Sequence, residues 1–541
     1  MNTNTTAKVS WMPAIAAMLS MVLVSMDLFM TPIATSALAE EFNTNAGMVQ
    51  GAIALFSLIF AAFCILGGKL GDIYGKKRVF TIGLAIYAVA SAITALAPNM
   101  LVMLGGFSVI RAVAVALTIP ASVALIIATY ENEAQRGTAF AIYGVGAMVA
   151  GIIAPLLMGF MADKASWRIP FGMDVGIAIV ALLLARSMRE TPTVKASIDG
   201  LGIFLTFIAI GSVVLAGMLG GTYGWWEARR PFEFAGMTFN PLNLSPAAVS
   251  AFIGAVFIAL LLNHVNRKEE TGGVPLFSMK LFDNRTFAVT FVMAVVFFLL
   301  NGALPFVVPV FLQEAVGFDG AKTGTVMMLF MFGSMLSSLA SGKLVSHLQP
   351  RTLMQLAMLV IVAGFVLLFI TTSPDMSVMA GAAPMFVVGL GFGVVVTQTP
   401  NVQLSTLPAE LQGEGSGLSE TAKEVGVGLG TAVVASIMFG LALGGMVDKV
   451  ALQAGEKITA QERAELIIQI EDETVPKEVE ELVAAKAPNL EELTRTAYVE
   501  AFQLTLGVLV GIVLLALLAA SFIPKIEAEA IRTPKRPGTP A

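Results

Sequence analysis

Apolar runs of about twenty residues recur along the whole chain, and most are separated from the next by a short polar cluster. They lie near residues 14–37, 48–68, 79–97, 100–129, 138–160, 168–186, 199–219, 246–265, 286–312, 322–347, 352–371, 377–400, 415–445 and 498–523. At a rise of about 1.5 Å per residue, such a run crosses the ~30 Å hydrocarbon layer as a helix. Strands of a membrane barrel would alternate lipid-facing and lumen-facing residues, whereas these runs are continuous. The pattern predicts an all-α integral membrane protein with fourteen transmembrane helices. The weakly charged start, with no small-residue cleavage site after a short apolar core, predicts an uncleaved first span.

Composition sharpens this picture. The 541 residues are 57% hydrophobic and 13% charged, with a mean hydropathy of +0.83, which removes the reading as several soluble domains. The net charge of −5 and the absence of a basic stripe argue against a nucleic-acid partner. Cys64 is the single cysteine and can form no internal disulfide. The two histidines, His264 and His347, lie near span ends without metal-ligand or nucleophile partners at useful spacing, and no GxxxxGK[ST] segment is present. An enzyme, a metal site, a cofactor and a built-in ATPase are therefore not expected.

Charge also orients the chain. With fourteen spans both termini share a side, and that side carries 19 Lys and Arg against five in the short loops opposite. The positive-inside bias places both termini in the cytoplasm, with the protein in the inner (cytoplasmic) membrane. The acidic segment 447–497 is then an extracytoplasmic insert, and 524–541 a disordered tail.

One loop stands out. "GKLGDIYGKKR" (Gly68 to Arg78) puts four cations and Asp72 within eleven residues between two apolar runs. A weaker echo, "GKLVSHLQPR" (Gly342 to Arg351), leaves a later span on the same side, which points to two related halves. Repeats of this kind recur in secondary transporters, where the substrate site lies between the halves near the midplane.

On these residues the chain resembles the major facilitator superfamily, in its fourteen-span drug:proton antiporter branch of multidrug efflux transporters. Gly68, Gly71, Asp72, Gly75, Lys76 and Arg78 stand where that superfamily's signature between spans 2 and 3 has them. "PLFSMKLFDNRTFA" (Pro275 to Ala288), "PVFLQEAVGF" (Pro309 to Phe318) and "LQGEGSGLSETAKEVGVGLGTAV" (Leu411 to Val433) follow in the branch's order. The resemblance implies the major facilitator fold: two six-helix bundles plus two additional central helices. It divides the chain into 1–190, 191–270 and 271–523. It also implies that the signature loop acts as a conformational latch in which Asp72 gains and loses cationic partners. There are departures too. The span 5 motif keeps Pro155 and Gly159 but has Ala150, Ala154 and Met158 where glycine is usual. Arg111 is kept in span 4 without the Gln-Gly that usually follows, and Asp174 stands where the family has Asn.

Ionisable residues inside a bilayer each cost ~2.5–3.5 kcal/mol or more and need a partner, water or a function. Asp27 and Arg111 are placed ~15 Å and ~16 Å from the outer ends of their spans, so their depths agree. Asp27 lies 45 residues before Asp72, the spacing the family implies for a first-span acid. Asp27 is expected to accept the proton and Arg111 to modulate it; a fixed structural ion pair is the competing reading. Glu420, Lys423 and Glu424 share one helical face of span 13, where a glutamate can form a second proton or cation site or a wet vestibule. Asp174 is a further proton-coupling candidate. Phe56, Asn301, Gln398 and Asn401 are the candidates for aromatic and amide contacts to substrate. The expected function is export of small amphipathic, cationic compounds in exchange for protons. A symporter or lipid exporter on the same scaffold, or a non-transporting receptor, is the alternative.

Overall fold

The computed structural model describes residues 10–44, 46–130, 133–191, 193, 199–229, 232–234, 237–239, 244–345, 348–471, 483 and 486–524. Fourteen of its helices are long and apolar enough to cross a membrane, and each coincides with one of the apolar runs. Spans 1 to 6 are Met12–Ile33, Ala46–Tyr74, Lys76–Ala95, the composite helix from Met100 to Thr129, Glu133–Lys164 and Arg168–Ala185. Spans 7 and 8 are Gly200–Tyr223 and Pro246–Glu270. Spans 9 to 12 are Arg285–Glu314, Gly320–Leu344, Pro350–Thr371 and Val378–Ser405. Span 13 runs from Ala409 to Ala454 through a π-helical stretch, Gly430–Val434, and span 14 is Leu490–Ser521.

In lipid every backbone polar group has to be satisfied within the segment, so the runs close as helices and their ends are where side chains intervene. Asn99, Asp199, Ser245 and Asn284 each accept a backbone N–H at the start of spans 4, 7, 8 and 9. Between spans 7 and 8 two short strands, Phe232–Phe234 and Met237–Phe239, form an antiparallel pair that the hydropathy pattern does not announce.

The helices form two six-helix bundles, with spans 7 and 8 as the additional pair. Span 7 packs on span 2 of the first bundle and on span 13 of the second. The bundles meet through spans 5 and 10, spans 2 and 13, and spans 1 and 9. One hydrophobic core runs across this seam, joining Phe29, Met30 and Ile33 of span 1 to Phe306, Val310 and Phe330 of spans 9 and 10. Close approach of backbones is bought by small residues, as when Gly389 and Gly393 of span 12 face the carbonyls of Phe330 and Ser334.

The repeat inferred from two short matches has a structural counterpart. Lys77 Nζ in the first turn of span 3 donates to the Arg186 and Met188 carbonyls, at 3.1 and 2.6 Å, just past span 6. Arg351, at the start of span 11, donates to the Ile523 carbonyl at 2.9 Å, just past span 14. In each half a cation at the start of the third helix sits on the carbonyl end of the sixth, where the helix dipole favours positive charge.

The described part of the 447–497 segment is largely helical. Span 13 continues to Ala454 and span 14 starts at Leu490, leaving Ala460–Glu471 as a separate helix. Ion pairs tie it down: Arg463 to Asp448 at 2.7 Å and Lys486 to Glu456 at 2.9 Å. Of the expected tail, residues 525–541 lie outside the described ones.

Candidate functional site

The deepest charges of the first bundle come together. Span 4 is π-helical from Leu104 to Arg111, a local widening that places Arg111 at its end, where the ordinary helix resumes. Such insertions are frequent at functional sites. Arg111 is fully buried, as are Asp27 of span 1 and Asp174 of span 6. Arg111 Nη1 bonds Asp27 Oδ1. Arg111 Nη2 donates to Ser91 Oγ at 2.7 Å and lies 3.4 Å from Asp174 Oδ2. Tyr87 Oη donates to the other Asp27 oxygen at 2.6 Å. Three rings surround the guanidinium, Tyr87, Phe107 and Phe171, with centroids 4.8 to 5.6 Å from its carbon.

Arg111 is the only cation placed against these two acids among the described residues. Breaking a buried pair by removing one partner costs about 3–5 kcal/mol, because a bare charge remains in an apolar core. Tyr87 and Ser91 were absent from the candidates read from sequence. Their signal was available: two polar residues one turn apart, at i and i+4, on an otherwise apolar helix share one face.

In the second acid cluster Lys423 pairs with one of the two glutamates. Lys423 Nζ bonds Glu420 at 2.6 Å and lies 5.7 Å from the centre of the Phe298 ring. Glu424 is not part of that bonded pair.

The four substrate candidates do not converge. Phe56 is half-buried and stacks on Phe107 at 5.3 Å, so it is linked through that ring to Arg111. Asn301 is half-buried in span 9, and Asn401 is exposed near the end of span 12. Gln398 is 3% exposed and donates to Ser341 Oγ at 3.1 Å, which commits its amide to span 10.

Gly75 in the signature loop turns with φ 98°, a backbone setting that glycine tolerates best. Glu190 covers this turn and accepts from the backbone N–H groups of Lys77 and Arg78 at 2.9 and 3.1 Å, capping span 3. Lys76 N–H bonds Thr191 Oγ1 at 3.2 Å. Sequence reading missed Glu190, which lies 112 residues from Arg78. Close helix approach falls on Gly67, where a Cβ would strike the Ala116 carbonyl of span 4. Gly68 and Gly71 have only ordinary contacts at 3.8 and 3.5 Å. The Asp72 side chain lies outside the described residues.

Pro155 and Gly159 of span 5 lie at the seam between bundles. Gly159 faces the Gly320 carbonyl at the start of span 10, and a Cβ on Gly324 would meet the Pro155 carbonyl oxygen at 2.6 Å. On the same face Ser36 Oγ, in the short helix Thr35–Glu41 that follows span 1, donates to Gln313 Oε1 at the end of span 9 at 2.7 Å. The two bundles are thus closed together on the face opposite that of Met12 and Ser521.

Two six-helix bundles, the first holding a fully buried acid–guanidinium site, define a polytopic transporter. Residues 17–200 and 191–431 match the Major Facilitator Superfamily, and the chain belongs to that family. It is 26% identical over 384 residues to the methylenomycin A resistance protein of Bacillus subtilis (strain 168), covering 70% of this chain and 77% of that protein. It is 26% identical over 441 residues to the multidrug efflux pump LfrA of Mycolicibacterium smegmatis, covering 81% and 82%. The fold is similar to the crystal structure of a bacterial homolog to the human lysosomal transporter Spinster, inward-facing and unoccupied. That match has a TM-score of 0.57 at 15% identity and covers 96% of each chain. The chain is a transporter of this superfamily and not an enzyme.

Proposed function

We propose that the protein exports small amphipathic, cationic compounds in exchange for protons, by alternating access of the seam between its bundles. The observation that carries this reading is the Asp27–Arg111 pair, sealed from solvent between spans 1 and 4. A carboxylate whose charge balance depends on one movable guanidinium is suited to trading a proton for a cation as the bundles rearrange. The relatives named for drug resistance and multidrug efflux support the export of small compounds. Phe56, which joins the site's aromatic wall, and Asn301 are the side chains proposed to meet substrate. Asp174, Glu420 and Glu424 are proposed as further acids on the proton route.

In this reading both termini face the cytoplasm of a bacterial inner membrane, and 1–190, 191–270 and 271–523 act as bundle, central pair and bundle. The glycine seam at Pro155 and Gly159 and the loop at Gly68, Gly71, Asp72, Gly75, Lys76 and Arg78 serve as gates. The closed seam opposite the terminus-bearing face supports a state open toward the cytoplasm.

The test is proton flux in reconstituted vesicles given a panel of lipophilic cations. Cation movement against an imposed proton flow is expected, and Asp27→Asn is expected to abolish it in a protein that still elutes as one species. Export that survives Asp27→Asn, or substrate moving in the same direction as protons, would overturn the proposal.

A further inference from the structure

The buried site holds two carboxyl groups and one guanidinium, and these do not share their partners equally. Asp27 receives Arg111 Nη1 on one oxygen and Tyr87 Oη on the other. Asp174 has neither oxygen hydrogen-bonded; its one close cation is Arg111 Nη2 at 3.4 Å, and that nitrogen is directed at Ser91. Arg111 Nε is also unpartnered.

Asp174 is 0% exposed, so water does not complete its shell. Both acids ionised would leave a net negative charge in an apolar core with one carboxylate bare, the arrangement that burial penalises most. Protonating Asp27 instead would waste two donors aimed at its oxygens. Protonating Asp174 leaves only a neutral acid short of a hydrogen bond. Span 6 packs on spans 1 and 3 and meets span 4 where Phe171 lies against Phe107, and those helices face Asp174 with Asp27, Tyr87 and Arg111. Span 5 touches it as well, and no described side chain there comes within ion-pair distance of Asp174.

We propose that the site carries one proton at neutral pH, and that it rests on Asp174 while Asp27 stays ionised against Arg111. This rests on the proton-coupled reading above and deepens it. Moving the guanidinium from Asp27 toward Asp174 reverses the assignment: Asp174 gives up its proton and Asp27 takes one. The proton count of the site is unchanged, while the proton leaves on the side of span 6 and enters on the side of span 1. Asp174 thereby becomes the site's proton store.

Infrared difference spectroscopy of the purified protein in lipid nanodiscs tests this. Wild type minus Asp174→Asn should contain one C=O band of a protonated carboxylic acid at neutral pH. Asp174→Glu should shift that band and Asp27→Glu should leave it in place. Arg111→Gln should add a second such band, since neither acid then has a cation. No band lost in Asp174→Asn, or a band that moves with Asp27→Glu instead, would overturn the assignment. Circular dichroism and elution as one species report folding, and the two Glu variants decide the question if Arg111→Gln does not fold. Vesicle flux measured on the same preparations separates the two claims. The band without proton flux keeps the proton on Asp174 and ends the antiport reading, whereas flux without the band does the reverse.

Discussion

Gly159 of span 5 lies so close to Gly320 of span 10 that a Cβ on Gly159 would overlap the Gly320 carbonyl oxygen. The contact is backbone to backbone, so no side-chain rotamer relieves it.

Gly159→Ala is therefore expected to oppose closure of this seam. Overpacking costs ~1–3 kcal/mol, which shifts the closed-to-open ratio by about 5- to 150-fold. Reactivity of a cysteine placed at Ala34, which is buried in the core that crosses this seam, toward a membrane-impermeant thiol reagent should rise in the Gly159→Ala background. Unchanged reactivity would show that the seam does not resist opening at this glycine.

Tyr87 supplies the second donor to Asp27, at 2.6 Å in a fully buried site. Tyr87→Phe keeps the ring over Arg111 and removes only the hydroxyl. A hydrogen bond to a charged group contributes about 1.5–3 kcal/mol, so thermal unfolding in detergent should move to lower temperature by a corresponding amount. Tyr87→Leu, which also deletes the ring 4.8 Å from the guanidinium, should cost more. Equal losses in the two variants would mean that the hydroxyl accounts for the whole effect and the ring for none.

A third expectation concerns pH. Asp199, at the entrance of span 7, is buried, which by itself pushes its carboxyl upward. Hydrogen bonds from His264 Nε2 at 2.9 Å, Lys268 at 3.0 Å and the Gly202 N–H outweigh burial and hold it below the usual aspartate value. A depressed carboxyl contributes stability above its unfolded value, and that contribution is lost as pH falls through the folded one. The window thus lies below about pH 4. Asp199→Asn keeps a capping oxygen and should destabilise the protein at neutral pH by about 1 kcal/mol or more, through the lost ion pair with Lys268. The gap between variant and wild type should narrow on acidification through that window. A gap that stays constant down to acid pH would assign the loss to packing.

Much of this was readable in one dimension. Asp27 and Arg111 stood out because a charge within an apolar run demands a partner, and their matching depths made them candidates for each other. Asp174 was equally visible as an acid, but its place beside Arg111 depends on how span 6 is rotated against span 4. Gln398 shows the converse: an amide in a span invites a substrate reading, and its hydrogen bond to Ser341 became visible only with spans 10 and 12 side by side. Glu190 carried no signal, since a carboxylate after a span is ordinary until the loop that folds beneath it is seen.

The sequence by itself determined the number of membrane crossings, their helical form and the charges that had to be buried. Those follow from the cost of placing unsatisfied backbone and bare charge in hydrocarbon, which acts on each segment separately. Only the tertiary structure decided which buried acid receives the donors, which glycines touch across the bundles and which carboxylate caps the loop. These depend on the rotation and crossing of helices, set by packing among residues far apart in the chain.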